Sequence, residues 1–132
     1  MKYYVGTEML EISEVRKLMR NPTFSDRYFT EKEKSFISVR DKKATVAAEL
    51  ICAKKACIKA ICSMVRPSSY TEIEILRKKS GRPCIRCHGR LETLNQTLRS
   101  DLSTSHTSTL VSATAIVSKR GEKKEEQGTE NV

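Results

Sequence analysis

The stretch 45-TVAAELICAKKACIKAICS-63 decides the fold, because it is the longest segment without Gly or Pro that also has a helix-forming composition. Alanines and branched aliphatic residues recur in it at helical spacing and give it one broad apolar face. Thr45 is placed to cap its N-terminus, and Glu49 suits the early turns, where the helix dipole favours a negative charge. We therefore predict a long helix over Thr45–Ser63 that packs on the rest of the chain.

Three lysines interrupt this apolar pattern: Lys54, Lys55 and Lys59. Lys55 and Lys59 lie four residues apart, so they share a face of the helix and repel each other. One interpretation is that an anion binds between them. The other is that both side chains extend past the edge of a core helix into solvent.

The composition favours one domain with an anionic partner. A chain of 132 residues forms a single modest core, and its net charge of +9 points to nucleic acid, a nucleotide, an acidic protein or a membrane surface. The sequence shows no membrane span and no signal peptide, so we expect a cytoplasmic protein whose five cysteines are free thiols. Residues 1–118 are predicted to form the domain and residues 119–132 a disordered charged tail.

Upstream of the long helix, the sequence predicts one strand and two helices. The strand covers Lys2–Val5 and is expected to end at Gly6. A first helix is predicted over Glu8–Met19, with basic residues at its C-terminus. A second helix is predicted to start at Thr30, because Thr30 and Glu33 have the spacing of a capping box.

Downstream, alternating polar and apolar residues predict strands. The predicted segments are a hairpin of Thr71–Leu76 and Cys84–His88, a short helix or irregular segment over Arg90–Arg99, and two final strands, Leu102–Ser105 and Leu110–Ser118. The predicted fold class is α+β, with an antiparallel sheet of the N-terminal strand, the hairpin and the two C-terminal strands, on which the long helix packs. Hydroxyl groups surround His106, an arrangement that binds phosphate or positions a base in some sites and is a plain polar turn in others.

Taken in order, these segments resemble the small 4'-phosphopantetheinyl transferases of the holo-acyl-carrier-protein synthase type. The matching segments are Gly6-Thr7-Glu8 for the family's Gly-x-Asp, Arg27–Glu33 for Arg-x-Phe-Thr-x-x-Glu, Lys54–Ala60 for Lys-Glu-Ala-x-x-Lys-Ala, Glu72–Ile75 with Gly81-Arg82-Pro83 for the family's hairpin, and Ser103–His106 for Ser-x-Ser-His. The resemblance covers about residues 1–119. Each motif is short, but their shared order and spacing favour the family's fold.

The resemblance implies a known activity and set of partners. Such enzymes transfer the phosphopantetheine arm of coenzyme A to a serine of an apo acyl carrier protein, a step of fatty acid biosynthesis, and they act as homotrimers with active sites between subunits. It implies a magnesium ion at Glu8, a proton-transferring or phosphate-binding Lys59, and coenzyme A contacts from Lys54, Ser105 and His106. Basic residues of the first helix (Arg16, Lys17 and Arg20) would meet the carrier protein.

The chain departs from the family at the metal site. Lys55 stands where the family has its second metal-binding carboxylate, Glu8 replaces an Asp, and Leu50 replaces an Arg. One hypothesis is that Lys55 supplies positive charge directly, by contacting the pyrophosphate or by pairing with Glu8. The alternative is a catalytically degenerate relative that binds a carrier protein or another anion. Nucleic acid is not the expected partner, because no aromatic-rich platform is present.

Overall fold

The computed structural model describes residues 2–121. In chain order its elements are β1 (Tyr4–Glu11), α1 (Ile12–Leu18), α2 (Phe24–Tyr28), α3 (Glu31–Ser38), α4 (Lys43–Ile61), β2 (Ile73–Arg77), β3 (Pro83–Cys87), α5 (Leu94–Thr97), β4 (Leu98–His106) and β5 (Leu110–Lys119). The predicted α+β class is confirmed.

The long helix α4 forms the centre of the core. Most of its side chains are buried, and it packs against β1 and β5 on one side and reaches β2 on the other. It begins two residues earlier than predicted, and the residue before it, Lys42, gives no side-chain cap. The predicted capping role of Thr45 is therefore wrong, because Thr45 already lies within the first turn of α4.

The strands form two sheets, and the predicted single sheet is wrong. One sheet has the antiparallel order β1-β5-β4, and β2 pairs only with β3. The hairpin is attached by side-chain bonds: the Ile75 N–H donates to the buried Glu33 carboxylate at 2.8 Å. The predicted hairpin is confirmed, since β2 pairs with β3, but the alternating pattern did not show that the hairpin stands apart from the other strands.

Strand β1 is longer than predicted, and this changes the position of Glu8. The strand continues through Gly6 to Glu11, and α1 starts only at Ile12. Gly6 allows a close approach: a Cβ there would lie 1.9 Å from the carbonyl oxygen of Ala56 on α4. The predicted strand end at Gly6 and the predicted helix start at Glu8 are therefore wrong, and Glu8 is a strand residue on the side that faces α4.

Helix α3 begins as predicted. Thr30 and Glu33 form both bonds of the capping box: the Thr30 N–H donates to Glu33 Oε1 at 2.9 Å, and the Glu33 N–H donates to Thr30 Oγ1 at 3.3 Å. Glu33 is buried, so the carboxylate that completes this cap also lies inside the core. This cap therefore joins the start of α3 to the interior of the protein.

The C-terminal strands extend beyond their predicted limits. Strand β4 begins at Leu98, within the segment expected to be helical or irregular, and β5 continues to Lys119. Residues 122–132, which hold most of the predicted tail, lie outside the described residues. Within the described part, no helix is both long and apolar enough to cross a membrane. All five cysteines are free, as expected.

Candidate active site

A carboxylate on β1 and an ammonium group on α4 form the first part of the site. The Lys59 Nζ lies 3.4 Å from Glu8 Oε2 and donates to the Thr7 carbonyl oxygen at 3.0 Å. The Glu8 side chain is 21 % exposed and that of Lys59 is 54 % exposed, so a ligand has access to the pair from solvent. The close approach of β1 to α4 at Gly6 brings these two residues together.

Lys55 adds a second positive charge to this cluster. It makes no hydrogen bond and no ion pair with any residue in the range 2–121, so the hypothetical Lys55–Glu8 pair does not form and Lys59 takes that place. These three charges and the Glu49 carboxylate lie around the Cys52 thiol, which donates to the Glu8 carbonyl oxygen. Burial raises the pKa of Cys52 to about 11, with the Glu8 carboxylate adding to the rise and the ammonium groups of Lys55 and Lys59 opposing it.

The donor set of this cluster does not fit magnesium. Mg²⁺ requires several oxygen ligands in near-octahedral geometry. In this cluster the Glu8 carboxylate already forms an ion pair with Lys59. The neighbouring Glu49 is held by His106 and Arg77. Among the residues that the structure describes, no three His, Cys, Asp or Glu side chains are grouped to hold a metal ion.

Lys54, predicted as a phosphate contact, is instead a core residue. Its side chain is fully buried, and its Nζ lies 2.6 Å from Glu33 Oε1. It also donates to the carbonyl oxygens of Tyr28 and Tyr70, at 2.6 Å and 3.1 Å. These three acceptors use all three ammonium protons, so the geometry excludes a phosphate contact in this structure. Burial lowers the pKa of Lys54, and the Glu33 carboxylate opposes that shift.

A second carboxylate network lies beside this ion pair. The Thr30 hydroxyl donates to Glu74 Oε2, and His88 Nε2 lies 2.9 Å from the other oxygen of Glu74. Burial acts to raise the pKa of Glu74, but the bonds from Thr30 and His88 outweigh it and hold the pKa below its ordinary value. The network joins the start of α3 to β2 and to the residue that follows β3.

His106 forms the second part of the site, at the end of β4. Its Nδ1 lies 3.1 Å from Glu49 Oε1, and Arg77 lies 3.8 Å from the other oxygen of Glu49. Almost half of the His106 side chain is exposed, which leaves the ring accessible to a ligand. The sequence identified Glu49 only as a helix-dipole residue, since nothing local in the sequence relates a helix position to a strand end 57 residues later.

A basic groove of about 700 Å³ opens beside His106. It is lined by Arg16, Asp41, Lys42, Lys43, Ala44, Thr45, His106, Thr107 and Ser108. The N-terminus of α4 faces this groove, and its dipole adds to the positive side chains. Hydroxyl groups and cations around a helix N-terminus suit a phosphate group. Sequence reasoning missed Lys42 and Lys43, which it did not single out as candidate site residues.

Ser105 lies apart from His106 within one chain. Successive strand residues point to opposite faces of a sheet. Ser105 faces outward, where its hydroxyl lies 2.8 Å from that of Ser112, whereas His106 reaches Glu49 on the helix side. The structure therefore brings Glu8, Lys55 and Lys59 together on α4 and β1 and places His106 nearer the start of α4. It leaves Ser105 on the other face of the sheet.

Residues 4–114 match the model of the 4'-phosphopantetheinyl transferase superfamily. The chain is 32 % identical over 121 residues to a holo-[acyl-carrier-protein] synthase of Clostridium perfringens, covering 86 % of this chain and 91 % of that protein. A synthase from Caldanaerobacter subterraneus is 29 % identical over 120 residues, covering 88 % and 94 % of the two chains. The protein therefore belongs to the 4'-phosphopantetheinyl transferase superfamily, and the resemblance inferred from the motifs is confirmed.

Solved structures share the fold. The holo-[acyl-carrier-protein] synthase of Neisseria meningitidis gives a TM-score of 0.80 at 24 % identity, covering 88 % of this chain and 98 % of that one. A synthase described as Chronobacterium ammoniagenes, in complex with coenzyme A, gives a TM-score of 0.78 at 20 % identity, covering 91 % and 99 %. These likenesses establish the architecture.

Proposed function

We propose that this protein transfers 4'-phosphopantetheine from coenzyme A to a serine of an apo acyl carrier protein. The relatives named holo-[acyl-carrier-protein] synthase support both this reaction and the enzyme class. The observation that carries the proposal is the single helix α4, which presents a basic groove at its N-terminus and the lysine pair, Lys55 and Lys59, towards its C-terminus. The groove and the lysine pair could each bind a different phosphate group of the same nucleotide.

The proposed reaction is a phosphoryl transfer, in which positioning and charge neutralisation supply most of the catalysis. The carrier serine oxygen forms a bond to the β-phosphorus of coenzyme A. The bond from that phosphorus to the bridging oxygen breaks, and adenosine 3',5'-bisphosphate leaves with the electron pair while the serine proton passes to a base. Because Lys59 is paired with Glu8, its ammonium suits a phosphate contact better than a proton acceptor.

We assign the groove beside His106 to the 3'-phosphate at the adenosine end of coenzyme A. Lys42, Arg16 and the hydroxyls of Thr107 and Ser108 line it, and Glu49 fixes the orientation of His106. In this proposal His106 is a substrate contact. Glu49 is a positioning residue, since it acts through the imidazole.

Helix α1 suits the acyl carrier protein as a docking surface. It exposes Lys17 and Arg16, with Arg20 just beyond its end, and Leu18 lies among them with 45 % of its surface exposed. An exposed leucine within a basic patch matches a partner that is acidic around an apolar centre. Replacing Lys17 and Arg20 with Glu should raise the KM for the carrier protein without changing that for coenzyme A.

We propose that the protein acts as a homotrimer in the cytoplasm, in fatty acid biosynthesis. The support for an assembly is the outer face of the β1-β5-β4 sheet, which exposes Val5, Met9 and Ile116 to solvent. A contiguous apolar area on a sheet face is typical of an interface. Ser105 lies on this same face, so assembly would bring it towards a neighbouring subunit and give it a route to the substrate.

The test of the proposed function is mass spectrometry of an apo acyl carrier protein after incubation with this protein and coenzyme A. We expect the carrier to gain the mass of one phosphopantetheine. His106→Ala should slow the gain, and Lys79→Glu, an exposed site on the hairpin turn, should leave it unchanged. An unchanged carrier, together with retained binding of coenzyme A, would instead identify a non-catalytic relative. This is the alternative that the lysine at position 55 raised in the sequence analysis.

A further inference from the structure

We infer that Lys55 and Lys59 bind the pyrophosphate of coenzyme A directly and that this site works without a divalent cation. The inference rests on the proposed function, because it assigns the lysine cluster to that substrate. It concerns Lys55 in particular, which stands where the family resemblance places a metal-binding carboxylate.

The charge of the cluster supports this inference first. Two ammonium groups, Lys55 and Lys59, and the carboxylates of Glu8 and Glu49 lie around the Cys52 thiol. Glu8 is paired with Lys59, and Glu49 is held by His106 and Arg77, so among the described residues the charge of Lys55 is the one left without a partner before any ligand arrives. A divalent cation entering there would meet repulsion from Lys55 and Lys59. An anion would be attracted, and a lysine serves as a point-charge phosphate binder.

The pairing of Glu8 supports it next. Lys59 lies 3.4 Å from the Glu8 carboxylate, and Glu8 would have to give up this partner to coordinate a metal. The other nearby carboxylate, Glu49, already bonds to His106 at 3.1 Å. Neither of these two carboxylates is therefore preorganised for a metal. Lys59, in contrast, is held in place by Glu8 and by the Thr7 carbonyl oxygen.

The unpaired state of Lys55 completes the case. In the described part of the chain the ammonium group of this partly buried lysine has no hydrogen-bonding or ion-pair partner. Lys54, one residue earlier, shows the opposite case, since its three protons are all used inside the core. Lys55 thus has three donors available for phosphate oxygens, beside a second lysine that is already oriented.

The experiment is calorimetric titration of coenzyme A into the full chain, once with excess Mg²⁺ and once with a chelator. We expect the two dissociation constants to agree within about twofold. Lys55→Gln should weaken binding about tenfold or more under both conditions, through the loss of a charge-assisted contact. Lys55→Glu should bind weakly in the chelator and recover when Mg²⁺ is added, because it restores a second carboxylate. Lys79→Gln is the matched control and should bind as the unaltered protein does.

A direct metal measurement provides a second readout. Titration of Mn²⁺ followed by its electron paramagnetic resonance signal should show no bound ion with the unaltered protein and a bound ion with Lys55→Glu. Mg²⁺-dependent binding of coenzyme A by the unaltered protein would overturn the inference while leaving the proposed function intact. Unchanged affinity in a folded Lys55→Gln variant would overturn it too. Failure to bind coenzyme A under either condition would overturn both proposals.

Discussion

A single missing side chain, at Gly6, allows β1 and α4 to approach and so brings Glu8 to Lys59. Gly6→Ala should therefore destabilise the protein by about 1–3 kcal/mol, because the new Cβ would overlap the Ala56 carbonyl oxygen and push the two elements apart. Urea unfolding measures the change. Thr7→Ala, on the exposed face of the same strand, serves as the control and should change stability little; equal stability of the Gly6→Ala variant would contradict the tight contact.

Individual cysteines should differ strongly in reactivity. Burial raises the pKa of Cys52 to about 11 and that of Cys57 to about 12, whereas Cys62 is exposed. The thiolate is the reactive species, so at neutral pH N-ethylmaleimide should label Cys62 first and leave the two buried thiols unlabelled. Peptide mass spectrometry identifies the sites, and labelling in urea should reach all five cysteines. Early labelling of Cys57 would show that its site opens in the native state.

Among the elements, α3, α4 and the hairpin are joined by the buried pair of Lys54 and Glu33. Lys54→Ala leaves a buried carboxylate without its partner and should cost about 3–5 kcal/mol of stability. Replacing both residues with apolar ones, Lys54→Met with Glu33→Leu, should not recover this loss, because the Ile75 and Thr30 N–H groups would then lose the carboxylate that accepts their bonds. Thermal unfolding compares the variants. A mild loss in Lys54→Ala with impaired binding of coenzyme A would favour the phosphate role predicted from the motif.

Acid should loosen the same group of elements through Glu74. Its folded-state pKa lies below the ordinary value of 4.5, since the bonds from Thr30 and His88 outweigh the effect of burial. The stabilisation is thus complete above about that ordinary value and is lost as the pH falls through the lowered pKa. Melting temperatures from neutral pH down to acid should show a steeper fall for the natural protein than for Glu74→Gln. Parallel curves would contradict this account.

For the whole molecule, the outer sheet face predicts self-association. Light scattering coupled to size exclusion should give the mass of a trimer, and Ile116→Lys should reduce it to a monomer by placing charge in an apolar interface. Val39→Lys provides a matched change, because Val39 is also apolar and exposed but lies at the end of α3, away from this face. Dissociation in both variants would indicate a different interface.

The sequence predicted what depends on local pattern and missed what depends on distant contacts. The capping box of Thr30 and the long helix are local, and both formed. The predicted phosphate contact of Lys54 and the predicted strand end at Gly6 were wrong. Whether a lysine is buried, and whether a neighbouring element leaves no room for a Cβ, depend on elements far away in sequence. The family motifs predicted site roles for Lys59 and His106, which stay predictions, but gave no indication of the ion pairs that hold these two residues.

Because the two parts of the site lie on one helix, their separation is fixed. Glu49, which holds His106, precedes Lys55 by six residues, or about 9 Å of helical rise. A packed helix does not stretch, so α4 keeps the two parts of the site at a constant distance from each other. A lone phosphate or pyrophosphate can occupy one end only, whereas a molecule with two anionic groups about that far apart engages both. Selection by length would thus be built into the central helix of the protein.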